Sequence, residues 1–340
     1  MPDKTIPATL PKVDLNSASI LITGGTGSFG KQFVKTVLER YKTRRIVVYS
    51  RDEHKQYDMA NELGADAQRV RFFIGDVRDR DRLSMAMRDI DVVIHAAALK
   101  HVSIAEYNPF ECIHTNVVGA ENVVQAAIQN KVKRVVALST DKAANPANLY
   151  GASKLASDKI MVAGNSLSGL GGTIFAVVRY GNVVGSRGSV VPFFQKLVAD
   201  GAERLPITDP RMTRFWITLS QGIEFVLSSL DMMRGGEIFV PKIPSMKITD
   251  LADCLAPGKP IEVIGIRPGE KLHEVMITED DARTTVELGD RYVIEPQFVF
   301  WHRPRDAFAG GKPVPEGFRY TSDTNSQWLD AKAMLAMLGG

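Results

Sequence analysis

Residues 19–30 read SILITGGTGSFG, and the fold follows from them. Ser19–Thr23 is an apolar run of buried-strand length. The glycines after it satisfy both GxGxxG (Gly25, Gly27, Gly30) and GxxGxxG (Gly24, Gly27, Gly30). Such glycines let the turn close and let backbone N–H groups approach a pyrophosphate at the N-terminus of the next helix. A merely structural turn also wants glycine. The position after a strand, before an amphipathic stretch (Lys31–Arg40) and in the first βα unit favours a dinucleotide site. The candidate cofactor contacts here are Gly24, Thr26, Gly27, Ser28, Phe29 and Gly30.

Outward from this turn the same alternation repeats. Arg45–Tyr49, Val70–Ile74, Asp91–His95, Arg134–Ser139 and Thr173–Arg179 read as strands. Between them lie helical patterns at Glu53–Leu63, Asp81–Arg88, Pro109–Gln129 and Leu149–Val162. Apolar strands alternating with helices predict a doubly wound parallel α/β sheet covered on both faces. After about residue 182 the regularity fails. Helices are expected at Val191–Ala199 and Ser220–Met232, with dense Pro and Gly from Pro241 to Pro268 and a strand-like Thr284–Phe300. The expected organisation is a Rossmann domain over 16–181, with 218–240 returning to it. Residues 182–217 and 241–340 would form a smaller C-terminal substrate-binding lobe.

The composition narrows the class. The chain has 340 residues, 44% hydrophobic and 24% charged, and a net charge of +3 from 42 basic and 39 acidic residues. That is globular, and too evenly charged for a nucleic-acid or membrane-surface footprint. Cys112 and Cys254 lie far apart and form no metal or disulfide pattern, which fits a reducing, cytoplasmic setting. His95, His101 and His273 have no metal-ligand spacing and read as structural, so no metal is expected. No apolar run approaches the roughly 20 residues of a membrane helix. Residues 1–15 read as a loose lead-in without a signal-peptide core.

The end of the second strand, Tyr49-Ser50-Arg51-Asp52-Glu53-His54-Lys55, selects between cofactors. An acid there holds the ribose hydroxyls of NAD, and an Arg accommodates the 2′-phosphate of NADP. Ser50, Arg51 and Lys55 favour NADP, while Asp52 keeps NAD open. Asp76 and Val77 after the third strand, and Ala97 and Lys100 after the fourth, lie at carboxyl ends of strands, where such folds bind ligands.

The fifth strand ends in Ser139-Thr140-Asp141-Lys142, followed by Tyr150-Gly151-Ala152-Ser153-Lys154. On a helix Tyr150 and Lys154 share a face. An ammonium beside a phenol lowers its pKa, so the tyrosine can take a proton from an alcohol beside a nicotinamide.

These features resemble the extended short-chain dehydrogenase/reductase superfamily. The segments YSRDEHKQ (49–56), FFIGDVRD (72–79), HAAALKHV (95–102), STDKAANPANLYGASK (139–154), RYGNVVGSRGSVVPFF (179–194), MTRFWIT (212–218) and GIRPGEKLHEV (265–275) resemble the UDP-N-acetylglucosamine 4,6-dehydratases. Asp141-Lys142 replaces the Asp-Glu of dTDP-glucose dehydratases, and Tyr150 the Met usual in membrane-anchored retaining relatives. The resemblance is therefore to the soluble inverting branch that opens pseudaminic acid biosynthesis, with products used on flagellin or a surface polysaccharide.

That resemblance implies the chemistry. Tyr150, with Lys154, takes the C4 hydroxyl proton as hydride passes to NADP. Lys142 is the C5 acid/base, which requires a depressed pKa, and Asp141 is the acid for the departing C6 hydroxyl. Thr140 either helps through its hydroxyl or caps the turn. Asn182, Arg267 and Glu270 match family contacts to the sugar nucleotide. Lys100, Arg187, Ser189 and Thr213, with Arg211 and Arg214, are further candidates, and for each of the arginines a surface salt bridge is an equal reading. The implied partners are UDP-N-acetylglucosamine and further copies of the chain, a hexamer included. Two other functions remain open. A nucleotide-sugar epimerase would need the Tyr/Lys pair but not Asp141-Lys142, and a binding-only NADP regulator would need neither.

Overall fold

The computed structural model describes residues 13–186, 188–303, 308 and 310–339. Its centre is a sheet of β1 (Ser19–Thr23), β2 (Arg45–Ser50), β3 (Val70–Ile74), β4 (Val92–His95), β5 (Arg134–Thr140), β6 (Ile174–Tyr180), β7 (Ile238–Pro241), β8 (Thr285–Leu288), β9 (Arg291–Ile294) and β10 (Lys312–Pro313). The spatial order is β10-β8-β9-β7-β6-β5-β4-β1-β2-β3. All pairings from β3 through to β7 are parallel. Every residue of β1 and β4 is buried, as strands covered on both faces require. The doubly wound sheet expected from the pattern is present, and its chain-order reversal between β1 and β4 opens the crevice where such sheets bind ligands.

Residues 219–241 return to the sheet. The helix Leu219–Met232 starts with a capping box between Thr218 and Gln221 and packs beside the helix Ser28–Arg40. The strand that follows it, β7, lies parallel to β6. Residues 285–313 differ from the lobe expected of them. The hairpin β8–β9 and the short β10 extend the main sheet antiparallel, because Val293 and Ile294 join its core. Nor is Thr284–Phe300 continuous strand: the Gly289-Asp290 turn breaks it.

A second core of Val191, Phe194, Trp216, Leu251 and Met334, among others, defines the smaller lobe. Within the Pro/Gly-dense stretch it includes the strand Ser245–Lys247, paired with Thr213–Ile217, and the helix Ile248–Leu255.

The helix expected over Pro109–Gln129 is interrupted. It comprises Pro109–Ile113, a π-helical turn His114–Val118, and Gly119–Gln129, and it follows a separate helix Val102–Tyr107. The π turn carries Asn116, whose amide donates to Leu99 O (2.9 Å) and Ser153 Oγ (2.9 Å) and accepts from Leu99 N (2.8 Å). A local turn widened in this way is common beside functional sites. Here it ties the loop after β4 to the helix bearing Tyr150.

Candidate active site

A cleft of about 620 Å³ lies over the carboxyl ends of the parallel strands. At one end it is lined by Gly24, Gly27, Ser28, Phe29 and Gly30, at the N-terminus of the thirteen-residue helix Ser28–Arg40. Gly27 is the N-cap of this helix and offers no side-chain cap, so its first N–H groups face the cleft. Gly24 has φ +65°, and a Cβ there would come within 2.8 Å of Ala97 Cα. The loop after β4 is held against it by Thr23, whose hydroxyl takes bonds from the N–H of Ala96 (3.2 Å) and Ala97 (3.3 Å) and pairs with His95 Nδ1 (2.8 Å). Burial, with Lys154 nearby, pushes His95 down to about 3, so it is neutral. This cradle fits a dinucleotide pyrophosphate.

Ser50, Arg51, Asp76, Val77, Ala97 and Lys100 also line the cleft. Thr26 and Lys55 do not. Thr26 Oγ1 bonds Ser50 Oγ (2.8 Å), both buried, and so clamps the glycine turn to β2. Lys55 Nζ pairs with Asp52 Oδ2 (2.6 Å), while Asp52 Oδ1 caps the helix Glu53–Leu63 by accepting from Lys55 N (3.0 Å). Asp52, which kept NAD open on sequence, is engaged at that helix start. The Arg51 guanidinium lies 3.6 Å from Asp76. Burial pushes Asp76 up, but Arg78 and then Arg51 hold it below the ordinary carboxylate range.

At the other end Thr140, Lys142, Tyr150 and Lys154 converge. Asn148 caps the helix Leu149–Ser168 through a bond from Gly151 N (2.8 Å). A Cβ on Gly151 would fall 2.3 Å from Lys142 O, so only glycine lets this helix approach the turn Asp141–Ala143. Thr140 occupies the cap position expected of it and also touches two of the site's side chains. Its hydroxyl caps that turn by accepting from Lys142 N (3.3 Å), donates to Asp141 Oδ1 (2.8 Å), and is hydrogen-bonded to the Tyr150 phenol.

Two electrostatic expectations are corrected. Burial pushes Tyr150 up to about 12, and the groups that pull it back are the Lys142 ammonium and the Thr140 hydroxyl. Lys154 instead donates to Leu138 O (2.8 Å); burial lowers its pKa, against Asp158 one turn below. Lys142 is not depressed. Burial pushes its ammonium down, but Asp141 (3.1 Å) and Glu274 (3.2 Å) overcome that and raise it above the ordinary lysine value. Asp141 is fully buried behind the cleft wall, and burial together with Glu274 raises its carboxyl pKa.

Among the substrate candidates, Asn182 and Ser189 line the cleft. Ser189 is the N-cap of the helix Val190–Ala199, and its hydroxyl has no partner among the described residues. Arg187 lies outside the described residues. Thr213 is buried in the wall, bonded to His273 Nδ1 (2.8 Å) and Ser322 Oγ (2.7 Å). Arg267 and Glu270, 3.9 Å apart, do not line the cleft; their loop is tied to the Tyr150 helix by Asn148 Nδ2 donating to Gly269 O (2.8 Å). Arg211 pairs with Asp209 (2.7 Å), and Arg214 donates to Thr213 O (2.7 Å) and Lys271 O (3.1 Å).

The family model for polysaccharide biosynthesis proteins matches residues 20–296. The chain belongs to that family. It is 58% identical to a UDP-N-acetylglucosamine 4,6-dehydratase (inverting) of Campylobacter jejuni, over 95% of this chain and 98% of the relative. It is 43% identical to a UDP-glucose 4-epimerase of Rickettsia prowazekii, over 94% and 95%. Among solved structures, Pen from Bacillus thuringiensis superposes with TM-score 0.86 at 34% identity, covering 96% of this chain and all of that one. A dTDP-glucose 4,6-dehydratase from Streptomyces venezuelae with NAD bound gives 0.68 at 25%, covering 83% and 93%. The resemblance drawn from the sequence motifs is borne out. No described helix is long and apolar enough to cross a membrane.

Two features of this family member escaped the sequence reading. Asp158 lies four residues beyond Lys154 on the same buried helix face, accepts from Ser139 Oγ (2.7 Å) and pairs with the buried Arg179 (3.4 Å). The i, i+4 spacing of Tyr150, Lys154 and Asp158 was the available signal. Glu274 is 132 residues from Lys142 in sequence, and nothing local marks it.

Proposed function

We propose that the chain is an NADP-dependent, C5-inverting UDP-N-acetylglucosamine 4,6-dehydratase, cytoplasmic and homo-oligomeric, acting at the first step of pseudaminic acid biosynthesis. The observation that carries this is the cleft-lining Lys142, hydrogen-bonded to two buried carboxylates beside Thr140 and Tyr150. Hydride transfer alone needs only the Tyr150–Lys154 pair; elimination of water also needs an acid and a base. The Campylobacter relative is named for this reaction.

Gly24, Gly27, Ser28 and Arg51 hold the dinucleotide, with Arg51 toward a 2′-phosphate that Asp52, engaged as a cap, does not oppose. When bound, the nicotinamide supplies an acceptor for hydride from C4 and a donor for its return to C6. Tyr150 takes the C4 hydroxyl proton. The 4-keto group acidifies C5, Lys142 takes the C5 proton, and the C6 hydroxyl leaves with a proton stored on Asp141, for which the cleft-lining Thr140 hydroxyl is the outlet. Asn182 and Ser189 face the sugar nucleotide, the latter from a helix N-terminus suited to phosphate.

The second reading, UDP-sugar 4-epimerase, is favoured by the Rickettsia relatives. Incubation with UDP-N-acetylglucosamine in deuterated water separates the two. The proposal expects a 4-keto-6-deoxy product, inverted and deuterated at C5 by NMR. A 4-epimer without deuterium at C5 refutes it.

A further inference from the structure

Resting on the dehydratase reading above, we propose that Glu274 is a positioning residue that receives a proton from Lys142 and so makes that lysine a base.

The argument starts from the proton count in a closed site. Lys142 Nζ lies 3.1 Å from Asp141 Oδ1 and 3.2 Å from Glu274 Oε1, and both carboxylates are nine-tenths or more buried. Their outer oxygens, Asp141 Oδ2 and Glu274 Oε2, have no partner among the described residues. Lys142 is the cation in ion-pair contact with both dry carboxylates, and Glu274 also has Arg214 at 3.6 Å, so burial drives a proton onto Asp141 rather than Glu274. Asp141 has less cationic help: it accepts from Lys142 and the Thr140 hydroxyl, and Lys271 acts on it only from beyond contact. Glu274 also faces the Arg214 guanidinium at 3.6 Å and the Lys271 ammonium. The resting arrangement is thus a neutral Asp141, a charged Lys142 and an ionised Glu274.

A charged lysine has no lone pair for the C5 proton. Asp141, already protonated, cannot relieve it, and Lys271 and Arg214 are cations. Glu274 is the ionised acceptor in hydrogen-bond contact. The step balances as follows. One Nζ–H proton passes to a Glu274 carboxylate oxygen, and the freed Nζ pair takes the C5 proton. The C5–H electrons form the C5–C6 double bond, the C6–O bond breaks, and the hydroxide leaves as water with the Asp141 proton. Lys142 ends charged, Asp141 ionised and Glu274 neutral, with the total charge of the three groups unchanged.

Glu274 is built to hold this place. Its N–H donates to Ser322 Oγ (2.9 Å) and its carbonyl accepts from Ser322 N (2.9 Å). Ser322 is in turn bonded to Thr213, and the next strand, Val275–Ile277, packs on the Asp141–Ala143 turn. A residue from the far end of the chain thus completes the proton set at the end of β5.

The test is Glu274→Gln, which keeps shape and an acceptor oxygen but takes no proton. Reduced nicotinamide absorbance follows hydride removal from C4, and product deuteration follows C5. Expected for Glu274→Gln are reduced-cofactor formation within about threefold of wild type, dehydration down at least ~100-fold, and a rate rising roughly tenfold per pH unit as hydroxide replaces the missing acceptor. Glu274→Asp should recover part of the rate. A Glu274→Gln enzyme with wild-type dehydration and pH profile overturns the proposal, as does equal loss of both half-reactions in a protein that melts like wild type. Wild-type protein that makes no 6-deoxy product overturns the dehydratase reading instead, and this inference with it.

Discussion

Replacing Lys142 by alanine probes the site's chemistry and its electrostatics together. Its side chain is 27% exposed, whereas those of Asp141 and Glu274 are 1% and 3% exposed. Removing the ammonium strands two carboxylates in contact with little water. Breaking a buried pair in this way costs roughly 3–5 kcal/mol. Arg214 stays 3.6 Å from Glu274 and Asp141 already holds its proton, so the lower end applies, about 3 kcal/mol. For a chain of this size that is a fall of roughly 4 °C in Tm. The sign of the pH dependence follows from Asp141. Its folded pKa is raised, by burial first and then by Glu274, and rises further without Lys142. A carboxyl raised on folding contributes stability that is fully present below its unfolded pKa and is lost as pH rises through the folded one. The deficit of Lys142→Ala should therefore widen as pH rises above the ordinary carboxylate range in calorimetric melts. Dehydration should fall by ~10²–10⁴, with dinucleotide affinity unchanged. A variant retaining the wild-type dehydration rate refutes the base, and a deficit that narrows with rising pH refutes the charge assignment.

Three further outcomes are expected. Arg51→Ala should weaken NADP about tenfold or more, the loss of one charge-assisted contact, and leave NAD unchanged by fluorescence titration; equal loss for both counts against the 2′-phosphate assignment. Gly151→Ala drives a Cβ to 2.3 Å from Lys142 O. It should cost about 100-fold in dehydration by displacing the acid/base turn, with the dinucleotide still bound; an active variant shows that the turn tolerates the shift. Tyr150→Phe should lower turnover by ~10²–10⁴ and abolish reduced-nicotinamide formation on mixing with substrate, and a normal burst would remove Tyr150 from the first step.

The parallel sheet was legible because strands buried on both faces need apolar centres, and Ile20–Ile22, Ile46–Val48 and Val92–Ile94 supply them in sequence. The glycine turn and the YxxxK helix were legible because their chemistry is local. Asn116 was not. Pro109–Gln129 carries a helical pattern throughout, and the π turn is visible only through bonds to Leu99 and Ser153. The protonation of Lys142 was not legible for a related reason: sequence offers Asp141 beside it but not the carboxylate 132 residues away. Thr26 and Lys55 lay where cofactor contacts belong, yet each is consumed by a neighbour, Ser50 and Asp52.

These differences share a cause. On the proposed function the reaction has two halves, and the chain divides them. The groups for removing hydride from C4 come from βα units of the parallel sheet: the glycine turn after β1, Arg51 after β2, Thr140 after β5 and the Tyr150 helix. Crossovers in a parallel sheet place such groups side by side whatever the rest of the chain does. Elimination needs an acid and a base of opposed proton affinity within one dry pocket. Adjacent residues on one turn share an environment, so Asp141 and Lys142 alone would tend to neutralise each other. A third group from another part of the fold breaks that symmetry, and Glu274 enters from the strand edge that Ser322 and Arg214 hold in place. The dehydration half therefore depends on how residues 271–277 dock against the end of β5, and the hydride half feels that docking only through the Lys142 ammonium that acts on Tyr150. Substitutions in Ser322 or Thr213, far from any dinucleotide contact, should accordingly uncouple the two halves in the same sense as Glu274→Gln.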